Sequence, residues 1–326
     1  MIPTIDVAPL FGVPSGARDA TDAAILAAAR DIGFMTVTGV AADTLDAAAR
    51  RRLLAIFTLS PAQKRAMCRQ SFAPENANLY RGWFPLQEGY PTYKEGTDLG
   101  PDLVRAVRHD PTDPLTEATP LPAEADLPGW RASAADYYRA METCGGALMR
   151  ALARGLNLPE TAFDAAFENG ISTLRLIRYP VRRVEQLDPA FRVGDRDMLG
   201  APHVDSGFVT LLAQDGVAGL ELEDRNGNWI GVPPTEGTLV VNFGKLLERW
   251  TDGQVRATRH RVLGSGVERC SIPFFYEPAV DAVIAPLPGT ATFAPVSYGD
   301  HLWEATTKFI EQRGIAHLRR ARSAAQ

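Results

Sequence analysis

The 326-residue sequence has only three cysteines, and no apolar stretch in it is long enough to cross a membrane. Cys68, Cys144 and Cys270 are odd in number and far apart, so neither a disulfide framework nor a cysteine-ligated zinc site is expected. The first residues lack the charged segment and the following apolar run of a signal peptide. We therefore expect a protein of the reducing cytoplasm that is neither exported nor inserted into a membrane.

Strong charge of either sign is also missing. The net charge is -5 and the isoelectric point is near 5.6, which gives no electrostatic basis for binding nucleic acid or an anionic membrane. We find no internal repeat, no low-complexity tract and no glycine-rich phosphate loop after a predicted strand. These absences favour a globular protein that acts on a small molecule, and nothing in the sequence indicates an obligate protein partner.

The segment GAPHVDSGFVTLLAQD contains the most informative pattern in the chain. His203 and Asp205 are two residues apart, so in extended backbone both side chains project from the same face. His260, which begins another extended segment, is the natural third ligand. Two imidazoles and one carboxylate leave positions of an octahedral metal open, which suits ferrous iron and oxygen chemistry. A closed structural zinc site would need a fourth ligand, and no cysteine is near.

A second pattern lies in RCSIPFFY, where Arg269 and Ser271 alternate onto one side of a predicted strand. A planar guanidinium and a hydroxyl on the same side form a grip for a carboxylate. We expect that carboxylate to be the distal one of 2-oxoglutarate, whose α-keto acid end chelates iron through two oxygens. The two patterns together predict Fe(II), with 2-oxoglutarate and O2 as cosubstrates.

With these motifs in place, the chain resembles the isopenicillin N synthase-like group of iron(II) and 2-oxoglutarate-dependent dioxygenases over nearly its whole length. The segments that carry the resemblance follow the family's order and are IPTIDVAPL, GFMTVTGV, LSPAQKRAM, YRGWFPL, TLRLIRYP, HVDSGFVTLLAQD, GLEL, TLVVNFG, HRV and RCSIPFFYEP. The resemblance implies a double-stranded β-helix, or jelly roll, wrapped by helices. It also implies three iron ligands, followed by three residues that hold the cosubstrate: His203, Asp205, His260, Arg269, Ser271 and Tyr179.

The sequence departs from the family at Ile177, where plant members usually carry the Asn of an Asn-x-Tyr motif. The hydrogen bond that this Asn makes near the iron-bound end of the cosubstrate is therefore missing. Arg175 and Arg178 are the candidates to replace it.

Three hypotheses for the function follow. The first is a 2-oxoglutarate-dependent dioxygenase that hydroxylates, desaturates or otherwise oxidises a C–H bond of a small molecule, with succinate and CO2 as co-products. The second is an iron oxidase of the same family that does not use 2-oxoglutarate, because isopenicillin N synthase-like and aminocyclopropane-carboxylate-oxidase-like enzymes share the Arg-x-Ser pair. The third is a non-catalytic ligand-binding barrel, which the loss of a metal ligand would favour, but none is lost.

Periodicity and turn residues predict one oxygenase domain over residues 1–326, mainly β with flanking helices. Residues 1–130 are predicted to be helical and loop-rich, residues from about 170 to 285 to form the jelly-roll core, and residues 298–326 to form a carboxy-terminal helix. The remaining predicted helices cover about 17–31, about 43–57 with Asp43 as the cap, a segment starting at Ser60 and Pro61, and about 132–156.

Residues 72–129 are rich in proline, glycine and aromatic residues and show little periodicity, which predicts long loops. Loops of this kind often line the mouth of an active site, although their aromatic residues can equally pack in the core. Two further positions at the far end of the Arg269 strand could also meet a substrate. The candidates for substrate contact are therefore Tyr80, Arg81, Trp83, Tyr93, Phe275 and Glu277.

Overall fold

The computed structural model describes residues 2–40, 46–183, 187–287 and 293–320. In this part of the chain the α-helices are α1 Gly16–Asp31, α2 Ala47–Leu54, α3 Pro61–Ala66, α4 Trp130–Gly155, α5 Asp164–Phe167, α6 Lys245–Trp250 and α7 Tyr298–Thr306. The strands are β1 Thr4–Asp6, β2 Phe34–Thr38, β3 Gly82–Phe84, β4 Glu95–Leu99, β5 Thr173–Tyr179, β6 Arg192–Val193, β7 Arg196–His203, β8 Val209–Gln214, β9 Leu220–Glu223, β10 Trp229–Gly231, β11 Leu239–Phe243, β12 His260–Leu263, β13 Arg269–Tyr276, β14 Val283–Ile284 and β15 Val296–Ser297.

Two sheets form the centre of the molecule. The major sheet has eight strands in the order β1-β2-β11-β8-β13-β5-β4-β3, and the minor sheet has five in the order β10-β9-β12-β7-β6. From β7 to β13 the chain passes back and forth between the two sheets, and the pairs that these strands form are antiparallel. This is the double-stranded β-helix, or jelly roll, that the sequence predicts.

Alternation along the strands gives the major sheet two different faces. Ile272 and Phe274 of β13 belong to the main apolar core, where Phe274 packs edge-on against Tyr138 of α4 with ring centroids 4.9 Å apart. Because successive side chains of a strand point to opposite faces, Arg269 and Ser271 face away from α4. We call this second side the interior face, since it looks into the space between the two sheets.

Helices α1, α3 and α4 begin close to where the sequence predicts. Helix α1 begins after Ser15, whose hydroxyl accepts a hydrogen bond from the backbone N–H of Arg18. Helix α3 begins with the expected Ser60–Pro61 pair, and Ser60 forms a reciprocal capping box with Gln63. The apolar stripe of α4 is buried in the core as predicted and consists of Tyr137, Met141, Leu148 and Leu152. Among the described residues, no helix, including the long α4, is long and apolar enough to cross a membrane.

The second predicted helix is shorter than expected. Helix α2 starts at Ala47 with Asp46 as its cap, because the Asp46 carboxylate accepts a hydrogen bond from the backbone N–H of Ala49. The proposed cap at Asp43 lies outside the described residues.

The amino-terminal region contributes strands where loops were predicted, so the loop prediction for residues 72–129 is wrong at β3 and β4. These two strands extend the edge of the major sheet, and Asp98 of β4 pairs with Arg175 of β5. The sequence EGTDL of β4 has little β propensity of its own, so pairing with a strand almost 80 residues later decides its conformation. Strands β1 and β2 likewise join the sheet beside β11.

The carboxy-terminal helix ends far earlier than predicted. Helix α7 stops at Thr306, and short 3-10 turns follow at Ile310–Gln312 and Ala316–Leu318. The Thr307 hydroxyl donates a hydrogen bond to the carbonyl of Trp303. Such local bonds from Ser and Thr side chains to the backbone compete with the hydrogen bonds that would continue a helix. Residues 321–326 lie outside the described part of the chain.

Candidate metal centre

The fold brings His203, Asp205 and His260 together. His203 ends β7 and His260 begins β12, and the antiparallel register places them opposite each other. Oδ1 of Asp205 lies 3.5 Å from Nε2 of His203 and 3.8 Å from Nε2 of His260. One donor atom from each residue lies within 4.8 Å of the other two, and this is a spacing at which three ligands can share one metal ion.

Backbone carbonyls fix the orientation of both imidazoles. Nδ1 of His203 lies 2.8 Å from the carbonyl oxygen of Ala201, and Nδ1 of His260 lies 3.1 Å from that of Thr258. A carbonyl oxygen only accepts, so each Nδ1 carries a proton, and the lone pair of the neutral imidazole is then on Nε2. Both lone pairs are therefore available to a metal ion beside Asp205, and hydrogen bonds of this kind hold ligand histidines in place.

The carboxylate of Asp205 is oriented in the same way. Its Oδ2 accepts a hydrogen bond of 2.6 Å from the Thr210 hydroxyl and one of 2.8 Å from the Asn242 amide. Thr210 lies on β8 and Asn242 on β11, so two neighbouring strands of the major sheet fix one side of the carboxylate. Oδ1 remains for a metal ion.

The electrostatics give Asp205 and His260 the charge states that metal binding requires. Burial and then the neighbouring His203 lower the pKa of His260 to about 4. Burial alone would raise the pKa of Asp205, but His260, His203 and the Thr210 hydrogen bond outweigh it and hold that pKa well below its usual range. At neutral pH the carboxylate is ionised and His260 is neutral, and these are the forms that bind metal.

No further His, Cys, Asp or Glu among the described residues belongs to this donor cluster. A set of two histidines and one carboxylate with open positions is the arrangement that suits ferrous iron, whereas a structural zinc site closes with a fourth ligand. The residues present therefore fit an Fe(II) ion with room for exogenous ligands.

Arg269 forms a second, separate feature on the interior face. Its side chain is buried, and Nη2 donates to Oε1 of Gln214 at 3.3 Å. Its Nε and Nη1 have no hydrogen-bond partner among the described residues, although both are sealed from the surface. Tyr179 lies opposite Arg269 on β5, and the guanidinium carbon is 5.3 Å from the centre of its ring. A buried cation with two unused donors fits an anionic ligand.

The walls around this cation are mostly apolar. Ser271 is buried on the same interior face, paired with Ile177 of β5. Arg178 is on the opposite face, where it pairs with Glu95 and Glu268. It therefore does not replace the hydrogen bond missing at Ile177. A small apolar cluster fills the interior and consists of Phe34, Ile177, Tyr179, Leu199, Leu220, Leu222, Val232, Val240 and Val262.

A cavity of about 420 Å³ opens beside the candidate metal ligands. His203 and Asp205 lie in its wall, together with residues of β5, β8 and β13. The segment after α7 covers it from one side, where the Phe309 ring approaches the His203 ring edge-on at 6.3 Å. A volume of this size is typical of clefts that hold small organic ligands.

The structure brings three of the six candidate substrate residues to this cavity, namely Tyr80, Phe275 and Glu277. Burial raises the pKa of the Glu277 carboxyl to about 7. Tyr93 is beside the cavity-lining segment, but its ring is stacked with the guanidinium of Arg182 at 4.4 Å.

Arg81 and Trp83 are placed elsewhere, in the core. Arg81 is buried and donates to the carbonyls of Leu99 and Ile171 and to the Thr173 hydroxyl, so it ties strands together. Trp83 packs edge-on against Phe57 with ring centroids 5.5 Å apart. Neither side chain lines the cavity.

Sequence reasoning missed several residues that shape the site. Asn242 interrupts the apolar strand LVVNF, and a lone polar residue in a buried strand is a signal that could have pointed to it. Lys94 and Glu311 also line the cavity, but no local pattern marks them, and Arg175, which the sequence offers only as a substitute for the family Asn, lines it as well. They meet only because β4, β5 and the carboxy-terminal segment converge in three dimensions.

Comparison with known proteins agrees with this geometry. Residues 173–278 match the 2OG-Fe(II) oxygenase superfamily. An isopenicillin N synthase of Streptomyces clavuligerus is 30% identical over 96% of this chain and 97% of its own length. A 2-oxoglutarate-dependent dioxygenase of Aspergillus rugulosus is 31% identical over 70% of this chain and 74% of its own.

A solved structure extends the likeness to the whole fold. The crystal structure of a full-length Neurospora crassa protein in complex with alpha-KG superposes with a TM-score of 0.80 at 26% identity. The match covers 94% of this chain and 96% of that one. The jelly roll, the His-Asp-His cluster and the full-length relatives together show that the chain belongs to the 2OG-Fe(II) oxygenase superfamily, among its isopenicillin N synthase-like members.

Proposed function

We propose that this protein is an Fe(II)- and 2-oxoglutarate-dependent dioxygenase that oxidises a C–H bond of a small-molecule substrate. The observation that carries the proposal is Arg269, a buried cation with two unused donors on the same interior face as Ser271 and Tyr179. We assign this place to the second carboxylate of a dicarboxylate whose other end would be on iron.

The separation of Arg269 from the cavity supports a cosubstrate that is distinct from the substrate. Arg269 and Ser271 are absent from the described residues that line the cavity of about 420 Å³, whereas His203 and Asp205 are present. A ligand held by Arg269 would therefore leave the cavity free for a second molecule. A reaction of a cosubstrate with a substrate needs both molecules beside the same metal ion.

The roles of the protein's own groups follow from their contacts. His203, Asp205 and His260 would hold the iron through two Nε2 atoms and Oδ1. Arg269, Ser271 and Tyr179 would bind and orient the cosubstrate, and the apolar interior cluster would exclude water from it. Bound iron and 2-oxoglutarate would supply the oxidising power, with O2 giving one oxygen atom to succinate and one to a hydroxylated product as CO2 leaves.

A second candidate is an oxidase of the same family that works without 2-oxoglutarate. Two observations favour it: Ile177 stands where plant members carry Asn, and the likeness to isopenicillin N synthase spans both chains almost completely. In that case Arg269 and Ser271 would bind a carboxylate of the substrate itself. A non-catalytic barrel is less well supported, because all three proposed metal ligands are present and backbone carbonyls orient both imidazoles.

Formation of succinate tests the choice. We expect purified protein with Fe(II), O2 and 2-oxoglutarate to release succinate slowly without substrate, and the His203→Ala variant to release none above background. The matched control is His109→Ala, because His109 is exposed and distant in sequence from the ligands. If wild-type protein binds iron yet forms no more succinate than His203→Ala, the oxidase is the better assignment.

A further inference from the structure

We infer that Arg175 binds a carboxylate of the substrate at the wall of the cavity, so that the substrate of this site is an organic acid. This inference rests on the proposed function, because it assigns the cavity beside the metal ligands to the substrate. It goes further by naming the chemical class of the substrate and the residue that selects it.

The hydrogen bonds of Arg175 hold its guanidinium in one orientation. Nε and Nη2 both donate to the carboxylate of Asp98, the second at 2.8 Å. Asp98 also accepts a hydrogen bond from Arg69, whose side chain is completely buried. The third nitrogen of Arg175, Nη1, makes no hydrogen bond with any described residue, and the Arg175 side chain lines the cavity. The guanidinium is therefore pre-organised with one nitrogen available to a ligand.

The local charges leave a surplus of one cation at this point. Arg69 and Arg175 share the buried carboxylate of Asp98. The charge of Glu311, the other carboxylate that acts on Arg175, is matched by Lys94 at 2.7 Å. The Arg69 side chain is 0% exposed and that of Arg175 is 19% exposed, so the surplus charge can be reached only through Arg175. A cation in a partly desolvated wall favours an anionic ligand over a neutral one.

The other cations that line the cavity are either matched or exposed. Lys94 and Lys308 pair with glutamates at 2.7 Å and 2.9 Å, respectively. Arg313 is exposed, so water and salt weaken its attraction for an anion. Arg175 is therefore the fixed, partly desolvated cation whose Nη1 can donate a hydrogen bond to the carboxylate of an acid.

Two carboxylates also line the cavity without a lysine partner, Asp205 and Glu277. Asp205 belongs to the metal site, and its charge would be offset by the ion. Burial raises the pKa of Glu277 to about 7, and the nearby guanidinium of Arg81 offsets the charge of its ionised form. Neither group therefore opposes strongly the binding of an acid at Arg175.

Phe275 gives the substrate an apolar surface beside that cation. The Arg175 guanidinium carbon lies 5.6 Å from the centre of the Phe275 ring, and both side chains line the cavity with His203 and Asp205. A substrate with its carboxylate on Arg175 would lie along Phe275 and present a C–H bond toward the metal ligands. A flat or aliphatic acid fits this combination of one polar and one apolar contact.

Matched acids and amides test the inference directly. The probes are monocarboxylates from acetate to 4-phenylbutanoate, each with its primary amide, which keeps the shape of the acid but removes the charge. Binding to the anaerobic Fe(II) and 2-oxoglutarate complex is measured by calorimetry. We expect at least one acid to bind about tenfold or more tightly than its amide.

The Arg175→Lys variant identifies the residue. A lysine keeps a positive charge beside Asp98, so the variant should fold, but its single ammonium would pair with Asp98 and present neither a donor nor a charge to the cavity, unlike the third nitrogen of the guanidinium. We expect this variant to lose the preference for acids while it still binds 2-oxoglutarate. Arg178→Lys is the matched control, because Arg178 lies on the same strand but faces away from the cavity. This control should keep the preference.

Three results would overturn the inference: acids and amides that bind equally, an acid preference that survives in Arg175→Lys, or no acid bound at millimolar concentration. Failure of the proposed function would be seen in a different measurement, because the spectrum of the iron and 2-oxoglutarate complex is recorded before any probe is added. Loss of that spectrum affects the cosubstrate assignment, and only the acid-to-amide comparison affects Arg175.

Discussion

Replacing Arg269 by methionine would separate the role of this residue in ligand binding from any role in folding. Arg269 is 1% exposed, and two of its nitrogens have no partner among the described residues. A methionine side chain fills similar space without the charge or the donors. The variant should therefore change the affinity for 2-oxoglutarate strongly and the stability of the unliganded protein very little.

The expected magnitudes follow from burial. Losing a charge-assisted, desolvated carboxylate contact costs about 2 to 5 kcal/mol, which is about 30-fold to a few thousand-fold in Kd for 2-oxoglutarate. In the absence of ligand, the wild-type protein holds a cation that is only partly satisfied by Gln214 at 3.3 Å. Removing it should leave the free energy of unfolding unchanged or raise it by up to about 2 kcal/mol.

The assay combines two measurements on the same samples. Anaerobic calorimetry with Fe(II) gives Kd for 2-oxoglutarate, and urea unfolding without ligand gives the stability. Arg178→Met is the control. Arg178 is adjacent to Tyr179, the residue opposite Arg269, but it lies on the face away from the interior, where it pairs with Glu95 and Glu268. We expect the control to keep wild-type affinity. An Arg269→Met protein with unchanged Kd, or one destabilised by several kcal/mol without ligand, would show that Arg269 is a structural residue.

Three further predictions concern the metal ligands and the cavity. His203→Ala should abolish iron binding in anaerobic dialysis while circular dichroism stays native, because His203 is partly exposed at the end of a preformed strand; iron bound at wild-type affinity would contradict the ligand assignment. Thr210→Val removes the 2.6 Å hydrogen bond to Asp205 without changing the side-chain shape, so iron affinity should fall about 10- to 100-fold, and an unchanged affinity would mean that this bond does not orient the carboxylate. Glu277, with a pKa raised by burial from 4.5 to about 7, contributes stability that is complete below pH 4.5 and is lost as the pH rises through 7. As the pH rises from about 4.5 to about 8, the free energy of unfolding of Glu277→Gln should therefore increase by about 3 kcal/mol relative to that of wild type. A stability difference between the two proteins that stays constant over this range would refute the assignment.

The parts of the site that could be predicted from the sequence are those set by local geometry. His203 and Asp205 share a face because they are two residues apart in extended backbone, and the same alternation puts Arg269 and Ser271 on one side of β13. His260 was predicted as the third ligand from its motif, and the register that places it opposite His203 became visible only in the structure.

The parts that could not be predicted depend on contacts between distant segments. Strand β4 has weak β propensity and forms because β5 pairs with it. Trp83 lies in the segment predicted as a loop, but pairing of β3 with β4 places it in the core. Arg81, just before β3, is buried by its hydrogen bonds to Leu99, Ile171 and Thr173. Arg175 was considered only as a substitute for the missing Asn of the family. Its partner Asp98 comes from β4, so its place in the cavity wall depends on a strand that the sequence did not predict.

The most direct test of the proposed function is an anaerobic titration of the purified protein with Fe(II) and then with 2-oxoglutarate, followed by visible absorption. A weak charge-transfer band of the keto-acid chelate should appear on addition of 2-oxoglutarate, and it should be absent in the His203→Ala protein. Its appearance would establish the metal and the cosubstrate together without knowledge of the substrate. Iron binding without the band would contradict the use of 2-oxoglutarate, and failure to bind iron would contradict the assignment of His203, Asp205 and His260 as the metal site.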